Sequence, residues 1–182
     1  MGAGFKSAGT LCAAALSLVG TLQLNPVYGF FLAAQVLHAF ADYCLEFHFG
    51  TGVLFFLLGH ICYISGFLKL YPLSVAHLIL FISFLLLLVV LFFRFRQRLR
   101  NHLLPLLTYG VVLCLMAACG IAGGTSSYSL SGLLTALGSA LFFFSDYLLF
   151  QQLLFPGNRR RDLAVMVVYY LAQLMLGISV LI

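Results

Sequence analysis

Leu78-Ile79-Leu80-Phe81-Ile82-Ser83-Phe84-Leu85-Leu86-Leu87-Leu88-Val89-Val90-Leu91-Phe92-Phe93 is the core of a run from Leu73 to Phe93 that carries no Lys, Arg, Asp or Glu. At 1.5 Å per residue such a run spans the ~30 Å hydrocarbon core of a bilayer as a helix. Water is absent there, so the backbone must bond to itself, and a helix is the form one segment can adopt alone. Six more runs of this kind follow the same reading, at about 5–23, 27–46, 50–70, 103–122, 128–153 and 163–182. All four prolines (Pro26, Pro72, Pro105, Pro156) fall at or just inside the run boundaries, where a missing N–H matters least. The chain is 64% hydrophobic, above the ~45–50% of soluble domains. The expected fold is therefore all-α: one polytopic transmembrane bundle of about seven helices over residues 1–182, with no soluble domain.

The charges orient it. Nine Lys and Arg give a net charge of +5, and seven of them are Arg94, Arg96, Arg98, Arg100, Arg159, Arg160 and Arg161. They sit between hydrophobic runs, which excludes a nucleic-acid surface. Threading seven spans puts both clusters and Lys6 on one side and Lys69 on the other, so the positive-inside rule predicts a cytoplasmic N-terminus and an outward C-terminus. The expected location is a cytoplasmic membrane in a bacterium or the endoplasmic reticulum membrane in a eukaryote. Lys6 before an apolar stretch has the look of a secretory signal, but no small-residue cleavage site follows it, and the run is read as a helix. Cys12, Cys44, Cys62, Cys114 and Cys119 lie within runs without metal-type pairing and read as small apolar side chains.

Against this background two acidic residues stand out. Asp42 and Asp146 occur in similar phrases, Phe40-Ala41-Asp42-Tyr43-Cys44-Leu45 and Phe144-Ser145-Asp146-Tyr147-Leu148-Leu149, and only four acidic residues exist in the chain. A carboxylate inside a membrane span usually faces the protein interior or a water-filled cavity and marks function. Helices two and six run the same way through the membrane, so the layout of three helices, a linker helix and three more is compatible with a parallel internal repeat. Counting from the cytoplasmic ends, Asp42 lies roughly 6 Å deep and Asp146 roughly 10 Å. Tyr109, and Tyr169 or Tyr170, fall at similar depth, with His60 and Tyr63 closer to the midplane. These groups predict one cavity open to the cytoplasmic leaflet. His38, Asp42 and Glu46 share a helical face with Gln35 one turn on; Gly138, Phe142 and Asp146 share another, and Tyr169, Gln173 and Gly177 a third.

Bland roles compete. His38 can satisfy a buried hydrogen bond, His60 and Tyr63 can hold helices together, and Gly138 and Gly177 fit close packing better than substrate contact. Glu46 lies near the interface and reads as solvated. Metal binding by His38 and Asp42 lacks a supporting ligand run, and no nucleophile elbow, P-loop or dinucleotide fingerprint is present. No cofactor is expected.

The string Gly138-Ser139-Ala140-Leu141-Phe142-Phe143-Phe144-Ser145-Asp146, followed by Val168-Tyr169-Tyr170-Leu171-Ala172-Gln173, resembles the YhhN-like lysoplasmalogenase family. So do Ala41-Asp42 and Leu58-Gly59-His60-Ile61-Cys62-Tyr63, and the motifs keep their order from Lys6 onward. The resemblance implies a multi-pass membrane hydrolase that cleaves the vinyl ether bond of lysoplasmalogens to a fatty aldehyde and glycerophosphoethanolamine or glycerophosphocholine. By position, the family's functional aspartates fall on Asp42 and Asp146, its His-Tyr on His60 and Tyr63, and its last-helix aromatic and Gln on Tyr170 and Gln173. The family usually has Gly-Asp where this chain has Ala41-Asp42, and about eight helices where this chain reads as starting from the second.

Vinyl ether hydrolysis starts with protonation of the β-carbon, so it needs one neutral carboxylic acid and one anionic partner. Two nearby carboxylates sharing a proton provide both. In this reading Asp146 is the acid, and Asp42, with His38, handles water. Tyr109, Tyr170, His60 and Gln173 position the glycerol hydroxyl and ether oxygen, while Lys6 and the loop Arg94 to Arg100 meet the phosphate. The expected partners are a lysophospholipid substrate and membrane lipid. The main rival is a transporter binding protons or solute at the two aspartates. An intramembrane aspartyl protease is disfavoured because Phe143-Phe144-Ser145-Asp146 stands where such proteases have GxGD.

Overall fold

The computed structural model describes residues 3–98, 103–157 and 159–182, with side chains from Ser7 onward. Seven helices account for nearly all of it: α1 (Ala3–Gln23), α2 (Gly29–Cys44), α3 (Phe49–Leu70), α4 (Val75–Phe95), α5 (Leu103–Ser126), α6 (Leu130–Leu154) and α7 (Arg159–Ser179). Among the described residues there is no strand. Helices α3 to α7 are long and apolar enough to cross a membrane, whereas the apolar stretch of α1, Ser7–Gln23, is shorter. With 16 residues α2 is also short, and a 3-10 turn at Pro26–Tyr28 leads into it. That turn begins where Asn25 Oδ1 accepts the Val27 N–H (2.9 Å), with Pro26 at the first position.

Six helices close a ring in the order α1, α2, α3, α5, α6, α7, with α7 back against α1; α4 stands outside, on α5. Exchanging α1, α2, α3 with α5, α6, α7 leaves this neighbour list unchanged, as a parallel three-plus-three layout requires. Glycines permit the close approaches. A Cβ on Gly138 would meet Ala172 O of α7 at 3.2 Å, and one on Gly177 would meet Ala13 O of α1 at 2.9 Å, so both are packing positions. One half of the core is filled by Phe31, Phe67, Met116 and Leu176, all essentially inaccessible.

The basic clusters share one end. Arg98 of the α4–α5 connection donates to Leu154 O at the end of α6 (3.1 Å) and lies over the Phe155 ring at 4.6 Å. Arg100 and the Lys6 side chain lie outside the described residues. Three boundaries differ from the sequence reading. α7 starts at Arg159, so the three arginines form its first turn instead of a loop. Arg161 reaches back to the Gln151 and Phe155 carbonyls (2.9 and 3.2 Å) at the end of α6. α5 continues through Gly123-Gly124 to Ser126, and a side chain at Gly123 would strike Tyr71, so the glycine there is a packing position and not a break. α2 stops at Cys44, so Glu46 falls in the following turn and not on the face of His38 and Asp42.

Candidate active site

Asp42 sits in the last turn of α2, nearly buried. Its Oδ2 accepts Thr10 Oγ1 from α1 (2.7 Å) and the Tyr169 hydroxyl from α7 (3.1 Å). Behind Tyr169 stands Gln173, one turn along α7. Its Nε2 donates to Tyr169 Oη (3.2 Å) and His38 Nδ1 (2.8 Å), and its Oε1 accepts the Tyr63 hydroxyl (2.9 Å). Gln35 Nε2 donates to the Gln173 carbonyl (3.2 Å). The remaining His38 nitrogen, Nε2, lies 3.3 Å from the Phe56 carbonyl. A carbonyl only accepts, so Nε2 carries the proton and Nδ1 accepts from Gln173, which assigns a neutral imidazole. His38 thus reaches Asp42 through Gln173 and Tyr169.

Asp146 of α6 has a second set. It accepts the Tyr109 hydroxyl from α5 through Oδ2, and His60 Nε2 of α3 is 3.0 Å from the same hydroxyl. Tyr109 has one proton to give, so its oxygen accepts from His60 Nε2–H. His60 Nε2 is also 3.7 Å from Asp146 Oδ2, and its other nitrogen is buried without a hydrogen-bond partner. Each aspartate therefore accepts a hydroxyl from the preceding helix of its own half (Thr10, Tyr109) and has a ring from the last helix of the other half beside it, Tyr169 bonded to Asp42 directly and His60 bonded to Tyr109. Phe142 is the wedge between the two sets, its ring 5.1 Å from His38, 5.0 Å from His60 and 5.4 Å from Tyr169.

Both carboxylates line a cavity of about 420 Å³ whose wall also includes Tyr169, Tyr170, Arg159 and Asp162. A second, apolar cavity of about 380 Å³ lies beside it and shares Leu45, Phe56, Asp146, Leu149 and Gln152. Both volumes are in the range of small-molecule sites. Among the described residues no three His, Cys, Asp or Glu are arranged to hold a metal ion.

Residues 1–180 match the YhhN family. The chain belongs to the YhhN family. No curated protein and no solved structure is significantly similar to it.

Of the residues singled out in this YhhN chain, Asp42, His38, Tyr63 and Gln173 form one connected network, and Asp146, Tyr109 and His60 another. Tyr170 lines the larger cavity with its ring 5.3 Å from that of Tyr169, but the bond to Asp42 belongs to Tyr169. The i, i+4 spacing of Tyr169 and Gln173 carries that signal; the family position pointed one residue further. Thr10 went unread because a lone threonine in an apolar helix is easily satisfied by its own backbone. Arg159 was read for topology alone.

Proposed function

We propose that this protein is a membrane-embedded hydrolase of the vinyl ether bond of lysoplasmalogens, releasing a fatty aldehyde and a glycerophospho-base by carboxyl acid–base catalysis. The observation that carries this reading is the meeting of the two cavities at Asp146: a polar chamber bordered by both carboxylates adjoins an apolar one. A single-chain lipid has that division, and its vinyl ether lies where chain joins glycerol. Family membership supports the same reading.

In the proposed mechanism Asp146, on the apolar border, is the neutral acid. Its proton moves to the β-carbon of the vinyl ether, and the C=C electron pair forms the new C–H bond. The resulting oxocarbenium ion faces the Asp146 carboxylate. Asp42, with two hydroxyl donors on one oxygen, suits the anion. It takes a proton from the attacking water as the hemiacetal forms. Asp42 then returns that proton to the glycerol oxygen as the C–O bond breaks, and the hemiacetal hydroxyl proton goes to Asp146. Both residues end as they began. Tyr109 and His60 orient the acid, while Tyr169, Gln173 and His38 orient the base. Arg159, on the chamber wall, is placed for the phosphate.

The transporter alternative requires a second opening at the far end. Both cavities border residues of the basic end, including Pro156 and Arg159, and the other half of the core is filled. The test is aldehyde release from 1-alkenyl-lysophosphatidylethanolamine by the purified protein in lipid. Activity is expected in the parent and a loss of at least ~100-fold in Asp146→Asn and in Asp42→Asn, on the scale of general acid–base contributions. An inactive parent, or full activity in both variants, rejects the enzyme.

A further inference from the structure

α4 is the exception in the bundle. Only 11% of its most apolar window is buried, against 33–44% in α3, α5, α6 and α7. It packs on α5, helped by Gly110, where a Cβ would lie 2.7 Å from the Leu88 side chain. Rings of α4 also lean on α6, with Phe84 at 4.5 Å from Phe143 and Phe92 at 6.1 Å from Phe150. Among the described residues, α3 and α4 do not pack side by side. The 380 Å³ apolar cavity occupies the gap this leaves, with Val53 of α3 and Leu91 of α4 on its walls, Cys114 of α5 in its lining and Asp146 where it meets the polar chamber.

We infer that this cleft between α3 and α4 holds the hydrocarbon chain of the lipid substrate and is its lateral doorway from the leaflet. The inference rests on the reading of the substrate as a single-chain lipid. Three observations converge on it. The cleft is bounded by two helices that leave a seam between them, its walls are apolar, and it is continuous with the chamber through residues common to both. A chain resting in the bilayer reaches Asp146 along this seam without passing through water, which is unfavourable for each methylene exposed. The headgroup turns into the polar chamber, and the aldehyde leaves by the path its chain already occupies. α4 then acts as the outer wall of a chain-binding slot, which accounts for a helix that adds little to the ring yet lies along it.

The chain contains no tryptophan, so Leu91→Trp is a lone reporter inside the cleft, and Leu78→Trp, on an exposed face of α4, is a lone reporter of ordinary lipid contact. The probe is a saturated 1-O-alkyl lysophosphatidylethanolamine brominated at mid-chain, which has no vinyl ether to cleave, added to the protein in phosphatidylcholine nanodiscs. Quenching of Leu91→Trp is expected to saturate and to be reversed by the unbrominated lipid, whereas quenching of Leu78→Trp rises in proportion to bromolipid content. Identical behaviour at the two positions overturns the cleft. In a second measurement, Val53→Trp fills the slot. The ratio of kcat/KM for a sixteen-carbon over a four-carbon 1-alkenyl substrate is expected to fall at least tenfold, and an unchanged ratio overturns the assignment. Saturable quenching without aldehyde release from alkenyl lipid rejects the hydrolase and leaves the slot standing; aldehyde release without saturable quenching does the reverse.

Discussion

Asp42 and Asp146 share a type and a cavity but not their partners, and that difference sets what each can do. Asp146 depends on one phenol, so Tyr109→Phe removes its donor and also strands His60 Nε2–H. A buried polar group left unpaired costs about 1–3 kcal/mol, and if the loss falls on the transition state, aldehyde release slows roughly 5- to 150-fold. Steady-state kinetics with KM unchanged and kcat reduced would match this; unchanged kcat removes Tyr109 from the proposed site. Asp42 has two donors on one oxygen, so Thr10→Val and Tyr169→Phe are each expected to retain more activity than Asp42→Asn. The double variant should approach Asp42→Asn, since neighbours on one group are not additive. Gln173 bonds to three side chains from three helices, His38, Tyr63 and Tyr169. Gln173→Leu is therefore expected to reduce unfolding free energy by about 1–3 kcal/mol, measured by denaturation in detergent.

Each helix was legible as an apolar run, because a bilayer-spanning segment has only one way to satisfy its own backbone. Some ends were not, because contacts from elsewhere in the bundle bear on them, whereas α4 and α6 begin at the local caps Ser74 and Ser129. The Arg159–Arg161 cluster looks like a loop by charge, yet it enters α7, where the Gln151 and Phe155 carbonyls at the end of α6 take the Arg161 guanidinium. The apolar run ends at about 122, yet α5 continues through Gly123-Gly124, whose lack of side chains lets Tyr71 and the Gly132 carbonyl approach. The site followed the same rule. Asp42, Asp146, His38, His60, Tyr63, Tyr109 and Gln173 are unusual residues for a membrane span and announced themselves, while Thr10 is ordinary and became informative only through its partner. Glycines test this view directly. At Gly59, where α3 crosses α2, a Cβ would crowd the His38 ring and lie 3.1 Å from Ala34 O. Gly59→Ala is expected to destabilise by about 1–3 kcal/mol through overpacking. Gly50, in the first turn of the same helix, has nothing within 4 Å, and Gly50→Ala is expected to leave the melting temperature unchanged or raise it. Equal effects at the two positions would refute the close approach.

At the scale of the whole molecule, the exchange pattern of the six-helix ring puts two like-directed halves around one chamber, and each half contributes one carboxylate and a ring for the other half's carboxylate. The chamber, the apolar cleft and both basic clusters belong to one end, so orientation decides which leaflet supplies the substrate. Arg98 and Arg161 tie those clusters to the end of α6. Lys69 is near the other end of α3, with its ammonium 5.8 Å from the Phe30 ring. The positive-inside rule predicts that the basic end, and with it the proposed site, faces the cytoplasm. Two exposed positions report it: Gln97 beside the α4–α5 connection and Tyr128 in the turn between α5 and α6, which is 98% exposed. In a background with the five cysteines replaced, Tyr128→Cys is expected to react with a membrane-impermeant maleimide on intact cells. Gln97→Cys should react only after permeabilisation. The reverse labelling would move the site to the outer leaflet, and labelling of both from one side would mean that α5, the helix between them, does not cross the membrane.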